Sequence, residues 1–352
     1  MSQEQETETS ALERSEFVVR KERLYGRLLA ACAVLTIAVT VGIILALSGQ
    51  ALTFFETVSP MDFLTGQNWS PLSNTPSYGV LPLVSGTLIV VIGSAVIALP
   101  VGLGAAIYLS EYASPRVRGI VKPVLEILAG IPTVIYGYFA LVYLTPLLDV
   151  PLPITQTIIP EWLSFSLPVI PSWVPLLPEF TFVVGEFTLV VPSLRAFNAL
   201  SASIAVGVMI IPMVSSISED ALSAVPDSLR EAGYGLGSTK FDVSTSIVVP
   251  AATSGIVSSY VLALSRAIGE TMIVTMAAGQ SPKMPFFPDF AQNFTQSIET
   301  MTAAMVKIAG AESLGETVAY EGMFAIGITL FGLTLTMNYL AELVRRRYQE
   351  EY

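Results

Sequence analysis

The chain has 352 residues, 53% of them hydrophobic and 13% charged, against about 25% charged in an average soluble domain. With a mean hydropathy of +0.67 it cannot cover a soluble surface of this size and reads as an integral membrane protein. A net charge of −11 from 28 acidic and 17 basic residues argues against nucleic-acid binding, which rests on Lys and Arg neutralising phosphates. The absence of histidine and the single Cys32 exclude a disulfide framework, a His/Cys metal site and Ser-His-Asp or Cys-His catalysis.

Residues 1–27 form a polar tail whose Gln/Glu/Thr-rich first part is too hydrophilic to bury a core. Leu29-Ala30-Ala31-Cys32 has the spelling of a lipoprotein cleavage box, but its apolar run follows the box instead of preceding it. Six apolar stretches of about 20 residues or more, all but the fifth uncharged, are each long enough to cross a bilayer: 28–47 (within a first transmembrane segment, 28–55), 82–110, 127–148, 196–217, 254–278 and 322–341. Gly93, Pro100, Gly102 and Gly104 in the second predict a tilted or kinked helix.

Basic residues set the expected topology, because they accumulate in cytoplasmic loops. They fall in the N-terminal tail (Arg14, Arg20, Lys21, Arg23, Arg27), after span two (Arg116, Arg118, Lys122), after span four (Arg230, Lys240) and in the tail 345–352 (Arg345, Arg346, Arg347). Both termini are therefore expected inside. The other three loops are nearly bare of positive charge. Their sequons, Asn68-Trp-Ser70 and Asn293-Phe-Thr295, then lie outside, compatible with glycosylation. In loop 149–195, Pro168, Pro171, Pro175 and Pro178 each remove a helical hydrogen bond, which predicts an extended extracytoplasmic segment. Partial alternation over 179–191 around Gly185 predicts a short hairpin there.

Loop 218–253 is punctuated like two short helices. Pro226 and Asp227 suit a helix start, Gly237 a left-handed helix end, Ser238 or Thr239 a new cap, and Pro250 a stop. Two such helices across the cytoplasmic face make a docking element. In the fifth span, Arg266 and Glu270 interrupt an apolar helix. Each costs about 2.5–3.5 kcal/mol at a bilayer centre, and an i,i+4 pair returns only about 0.2–0.5 kcal/mol. They are expected to face a bundle interior or a watery path, and so to mark a functional site.

Glu231-Ala232-Gly233, then Gly237, then Ile247, Val249 and Pro250 resemble the EAA loop of ATP-binding-cassette importer permeases, with Gly233 in place of an alanine and Val249 in place of a leucine. Ala263-Leu-Ser-Arg266-Ala-Ile-Gly-Glu270-Thr271-Met272, Ala129-Gly-Ile-Pro-Thr-Val-Ile-Tyr-Gly137 and Leu229-Arg230-Glu231-Ala232 are similar to motifs of the inorganic phosphate importer permeases, and more to the PstC-like than to the PstA-like subunit. The resemblance covers 81–148 and 196–346. It implies an all-α, polytopic integral membrane protein with six transmembrane helices in the type I importer (MetI-like) fold, its transmembrane domain spanning 80–344.

By the same resemblance, Arg266, Glu270 and Thr271 serve substrate translocation, while Arg230, Glu231, Ala232, Gly237, Ile247 and Pro250 form the loop that couples to an ATPase. The implied partners are a homologous PstA-like permease, a cytoplasmic PstB-like ATPase dimer and an extracytoplasmic PstS-like phosphate-binding protein, all around the lipid bilayer. No GxxxxGK[ST] run is present, so ATP binding falls to the partner ATPase; this chain is expected to need no cofactor and to be no enzyme. Arg266 suits a tetrahedral oxyanion, and an ionised Glu270 repels a fully deprotonated anion while accepting the hydroxyl that phosphate retains near neutral pH. Another oxyanion such as sulfate or molybdate is the alternative substrate. An ATP-independent transporter is expected to carry inverted repeats, and an intramembrane enzyme built on Glu270 lacks a second catalytic group.

Overall fold

The computed structural model describes residues 16–149, 181–184, 187–190, 194–287, 292–311 and 317–347. Helix α1 (Glu16–Thr57) is 42 residues long, about 63 Å at 1.5 Å per residue and twice the ~30 Å hydrocarbon thickness. The expected first span is thus the middle of a longer rod. Its final turns bury Ala51 and Phe54 against Phe63 of α2 (Pro60–Thr65) and Tyr78, with Phe54 edge-on to both rings at 5.5 and 5.4 Å. Tyr78 belongs to a small antiparallel ribbon, β1 (Trp69–Ser70) with β2 (Ser77–Tyr78).

Helix α3 (Leu81–Ile107) runs into a π-turn at Tyr108–Tyr112 and packs along α6 (Ala199–Ser223) as the centre of the bundle. Two of the glycines that predicted a kink serve this close approach. A Cβ on Gly93 would stand 2.5 Å from the Ser203 hydroxyl, and one on Gly102 2.7 Å from Val214 Cβ. Small residues that let backbones meet are the usual basis of helix packing in lipid.

The third span departs from expectation. Residues 111–126 are not a loop, and 127–148 is not one straight helix. Instead α4 (Pro115–Ala129), capped by the Ser114 hydroxyl accepting the Val117 N–H, meets α5 at 86°. Gly130 closes α4, and Pro132, which has no N–H to donate, starts α5 (Thr133–Phe139); α5 continues through a π-turn (Ala140–Leu144) to Thr145–Asp149. Within the segment that follows, β3 (Thr181–Val184) and β4 (Phe187–Val190) pair antiparallel. The proline-rich stretch 150–180 lies outside the described residues, as do residues 1–15 of the tail.

After α6 come α7 (Asp227–Gly235) and α8 (Lys240–Val243), the latter extended by a π-turn (Ser244–Val248) and a last turn (Val249–Ala251). Helix α9 (Thr253–Ile268) leaves α8 at 70°. The fifth span is broken again at 269–271, before α10 (Met272–Ala277). Of the stretch 279–321, expected to be an outer loop, described residues fold into the protein: α11 (Gln292–Thr295), α12 (Met301–Ala309) and the segment between them bury Asn293, Thr295, Ile298, Glu299, Thr300 and Met301. Asn293 exchanges hydrogen bonds with the Phe286 N–H and C=O, so this sequon is closed to glycosylation. Helix α13 (Val318–Arg347) packs on α1, α9 and α12. Among the described residues four helices are long and apolar enough to cross a membrane, or six if each of the two bent pairs, α4–α5 and α8–α9, is one span.

Candidate functional site

Two places carry the residues singled out by the sequence. The first is the α7–α8 element at one end of the bundle. Helix α7 closes in a Schellman arrangement: Gly237, at φ 82°, gives its N–H to the Tyr234 carbonyl, and Ser238 gives its own to that of Gly233. A capping box then starts α8, the Thr239 hydroxyl accepting from the Asp242 N–H while the Asp242 carboxylate accepts from Thr239. The two helices are locked together at Gly233, where an added Cβ would stand 2.7 Å from Ile247 Cδ1 and 2.9 Å from Val243 Cγ2. The glycine at this motif position is what lets Ile247 and Val243 fill the gap.

Glu231, Ala232, Gly237 and Pro250 are exposed and Ile247 is half-buried. Tyr234, Leu236 and Phe241 add a large apolar surface, with Leu236 88% exposed. Arg230 does not belong to that surface. It turns inward and donates to the Glu111 carboxylate at 3.0 Å, to the Leu222 carbonyl at 2.8 Å and to the Val225 carbonyl. Lys240 also reaches back, 5.0 Å over the Tyr112 ring, so α7 and α8 are both moored to the end of α3. Beside them Glu219 of α6, fully buried, pairs with Arg118 and with Lys122, the latter at 2.7 Å. Two of the three cations after span two thus also hold α4 onto α6, a role their sequence positions do not disclose.

The second place is the break at 269–271. Arg266 and Glu270 do not form the helical pair that their spacing predicts, because the helix ends between them at Ile268. Arg266 is exposed in the last turn of α9, where a cation meets the negative end of the helix dipole. Glu270 is buried, 7% exposed, and its Oε1 accepts the N–H groups of Met272 and Ile273 at 3.0 and 3.2 Å. The carboxylate thus caps α10, where the Thr271 side chain makes no cap. Thr271, half-buried, donates to the Gly269 carbonyl.

The rest of this site comes from elements remote in sequence. Gly137, the last residue of the Ala129–Gly137 motif, lets α5 lie directly on α10; a Cβ there would be 3.1 Å from both Ile273 Cα and the Met272 carbonyl. Thr302 of α12 donates to the Glu270 carbonyl at 2.6 Å. The sequence carried no sign of Thr302, Glu111 or Glu219 as site-building residues, since each acts across more than 30 positions.

The family of binding-protein-dependent transport system inner membrane components matches residues 98–350. A probable ABC transporter permease protein, YqgH of Bacillus subtilis (strain 168), is 31% identical over 328 residues, 92% of this chain and 90% of that one. The phosphate transport system permease protein PstC of Xylella fastidiosa (strain 9a5c) is 32% identical over 289 residues, covering 82% and 79%. Among solved structures, a bacterial ABC transporter involved in the import of the acidic polysaccharide alginate superposes with a TM-score of 0.57 at 14% identity, covering 95% of this chain and 99% of that one; at this identity the likeness concerns the fold. The chain therefore belongs to the binding-protein-dependent inner membrane components: it is a multi-pass permease subunit of an ATP-binding-cassette importer with the MetI-like fold, and not itself an enzyme.

Proposed function

We propose that this subunit moves inorganic phosphate across the cell membrane by alternating access, driven by ATP hydrolysis on separate subunits. The observation that carries the reading is the exposed Arg266 at the end of α9, four residues before the buried Glu270. A guanidinium facing lipid near mid-bilayer costs about 2.5–3.5 kcal/mol. That face of α9 is therefore assigned to a homologous, PstA-like permease and the path between the two, where Arg266 offers a planar fork of donors to an oxyanion. Glu270 and Thr271 lie at the break beside it. When ionised, Glu270 disfavours a fully deprotonated anion, while phosphate near neutral pH keeps a hydroxyl to donate. Relatives named PstC support phosphate as the substrate.

The apolar knob of Tyr234, Leu236 and Phe241, with Glu231, Ala232 and Gly237, is the surface offered to the ATPase dimer on the cytoplasmic side, and both termini share that side by the distribution of basic residues. A phosphate-binding protein delivers substrate from the opposite side. One observation favours an added role for Glu270: because its Oε1 holds two backbone N–H groups, it also fixes the break and can serve as part of the gate.

The test is uptake of labelled phosphate by the whole complex in proteoliposomes. Phosphate import that needs ATP, resists excess sulfate and is lost in Arg266→Ala is the expected result. Equal competition by sulfate or molybdate replaces phosphate with another oxyanion, and import without ATP removes the importer mechanism. Uptake that becomes uncoupled from ATP in Glu270→Ala assigns that residue to the gate.

A further inference from the structure

Helix breaks leave backbone carbonyls without partners, and in a protein interior such groups must be satisfied by neighbours. At 269–271 the Glu270 carbonyl is such a group, and it is satisfied by a side chain from another part of the fold. Thr302 Oγ1 donates to it at 2.6 Å, across 32 positions of sequence. Thr302 is buried, and its hydroxyl also lies 3.1 Å from that of Thr300. Thr300 caps α12 by accepting the Ala303 N–H, while the Met301 N–H donates to Thr87 of α3. The first turn of α12 is thus fixed to α3 on one side and holds the Glu270 break on the other.

We propose that Thr302 is the positioning residue for Glu270: it holds the broken span in the register that places the carboxylate under the Met272 and Ile273 N–H groups and leaves Arg266 turned out at the end of α9. This rests on the reading of Glu270 as a translocation residue. The remainder of α12 suits a strut. At its far turn Lys307 lies 3.3 Å from a carboxylate oxygen of the buried Glu299 and donates to the Gln280 carbonyl, so both ends of the helix are anchored and a shift at one end is passed to the other.

The experiment compares Thr302→Val, Thr302→Ser and Glu270→Gln in the assembled complex, by initial rates of labelled phosphate uptake over a range of concentrations, with ATP hydrolysis followed in parallel. Thr302→Val keeps the volume and removes the donor. It is expected to lower the maximal uptake rate about tenfold, the equivalent of one hydrogen bond, with little change in the half-saturating phosphate concentration, and Thr302→Ser to restore at least half of the rate. A purely packing role would spare Thr302→Val and penalise Thr302→Ser, the reverse order. If Thr302→Val does not assemble, Thr302→Cys, a weaker donor of similar size, is expected to fall between wild type and that tenfold loss. Wild-type uptake in Thr302→Val or Thr302→Cys while Glu270→Gln is impaired overturns the positioning role alone; wild-type uptake in Glu270→Gln overturns the reading of Glu270 beneath it.

Discussion

Arg230, in the second turn of α7, donates to Glu111 at 3.0 Å across 119 positions of sequence, with the two side chains only 14% and 4% exposed. The same guanidinium takes the Leu222 and Val225 carbonyls at the end of α6. One side chain therefore joins α7 to the ends of both central helices, α3 and α6, and a push on α7 reaches them without slack. Removing one partner of a buried pair leaves the other charge uncompensated and costs about 3 kcal/mol or more. Arg230→Gln and Glu111→Gln are each expected to lower the melting temperature of the purified complex and to uncouple ATP hydrolysis from uptake. The double variant should be less destabilised than the sum of the two by about 1–2 kcal/mol; strict additivity in thermal melts would show that the pair carries no coupling.

Gly237 and Gly233 are required for different reasons, and substitutions separate them. Gly237 sits at φ 82° with open space around it, so Gly237→Ala is expected to cost about 1 kcal/mol in backbone strain and Gly237→Asn less. Gly233 has no unusual backbone but is crowded by Ile247 and Val243. Gly233→Ala is expected to cost about 1–3 kcal/mol by overpacking and to be relieved by adding Ile247→Val, which trims the Cδ1 atom that the new methyl would meet. Ile247→Val should give no relief to Gly237→Ala. Melting temperatures of the five variants decide the matter.

The sequence was most informative where local chemistry decides the structure. Gly237, Thr239 and Pro226 act within four residues of themselves, and the ends of α7 and α8 could be placed from them. Hydropathy likewise located the apolar spans, because a membrane rewards an uninterrupted apolar run whatever its tertiary surroundings. It could not show that the fifth span breaks at Gly269-Glu270-Thr271, since no proline marks the place and the partner that satisfies the freed carbonyl, Thr302, lies in what read as an outer loop. Glu299 and Lys307 pair with each other across α12, which lets this helix go inside despite its charges. The pair Arg266 and Glu270 was found as two residues, but their spacing implied a shared helix face that the break at Ile268 removes.

Helix α5 lies on α10 at Gly137, where the neighbours of an added Cβ are backbone atoms, Ile273 Cα and the Met272 carbonyl, both at 3.1 Å. Backbone cannot rotate aside as the tip of Ile247 can. Gly137→Ala is expected to push α10 away from α5 and to loosen the two N–H groups that hold Glu270, costing about 1–3 kcal/mol. On the proposed function, phosphate uptake should fall more than ATP hydrolysis, because the α7–α8 element is untouched. Equal loss of both activities would instead report general misfolding.

Burial pushes the Glu299 carboxyl above its ordinary 4.5, and the nearby Lys307 ammonium acts in the opposite direction. A folded value raised above the unfolded one means that the native protein holds the proton more tightly. The stabilisation this brings is complete below pH 4.5 and is lost as the pH rises through the folded value, at up to about 1.4 kcal/mol per pH unit. Glu299→Gln, which cannot ionise, is expected to flatten that part of the stability profile. Lys307→Met removes the opposing charge, so it should move the loss to higher pH and deepen it, since an unpaired carboxylate would then have to stay charged in a fully buried site. Thermal melts of the purified protein from about pH 4 to 8, centred above the ordinary carboxyl range, distinguish the cases: a wild-type profile that coincides with that of Glu299→Gln means that Glu299 does not titrate in this window, and a Lys307→Met profile shifted to lower pH means that the lysine is not its counter-charge.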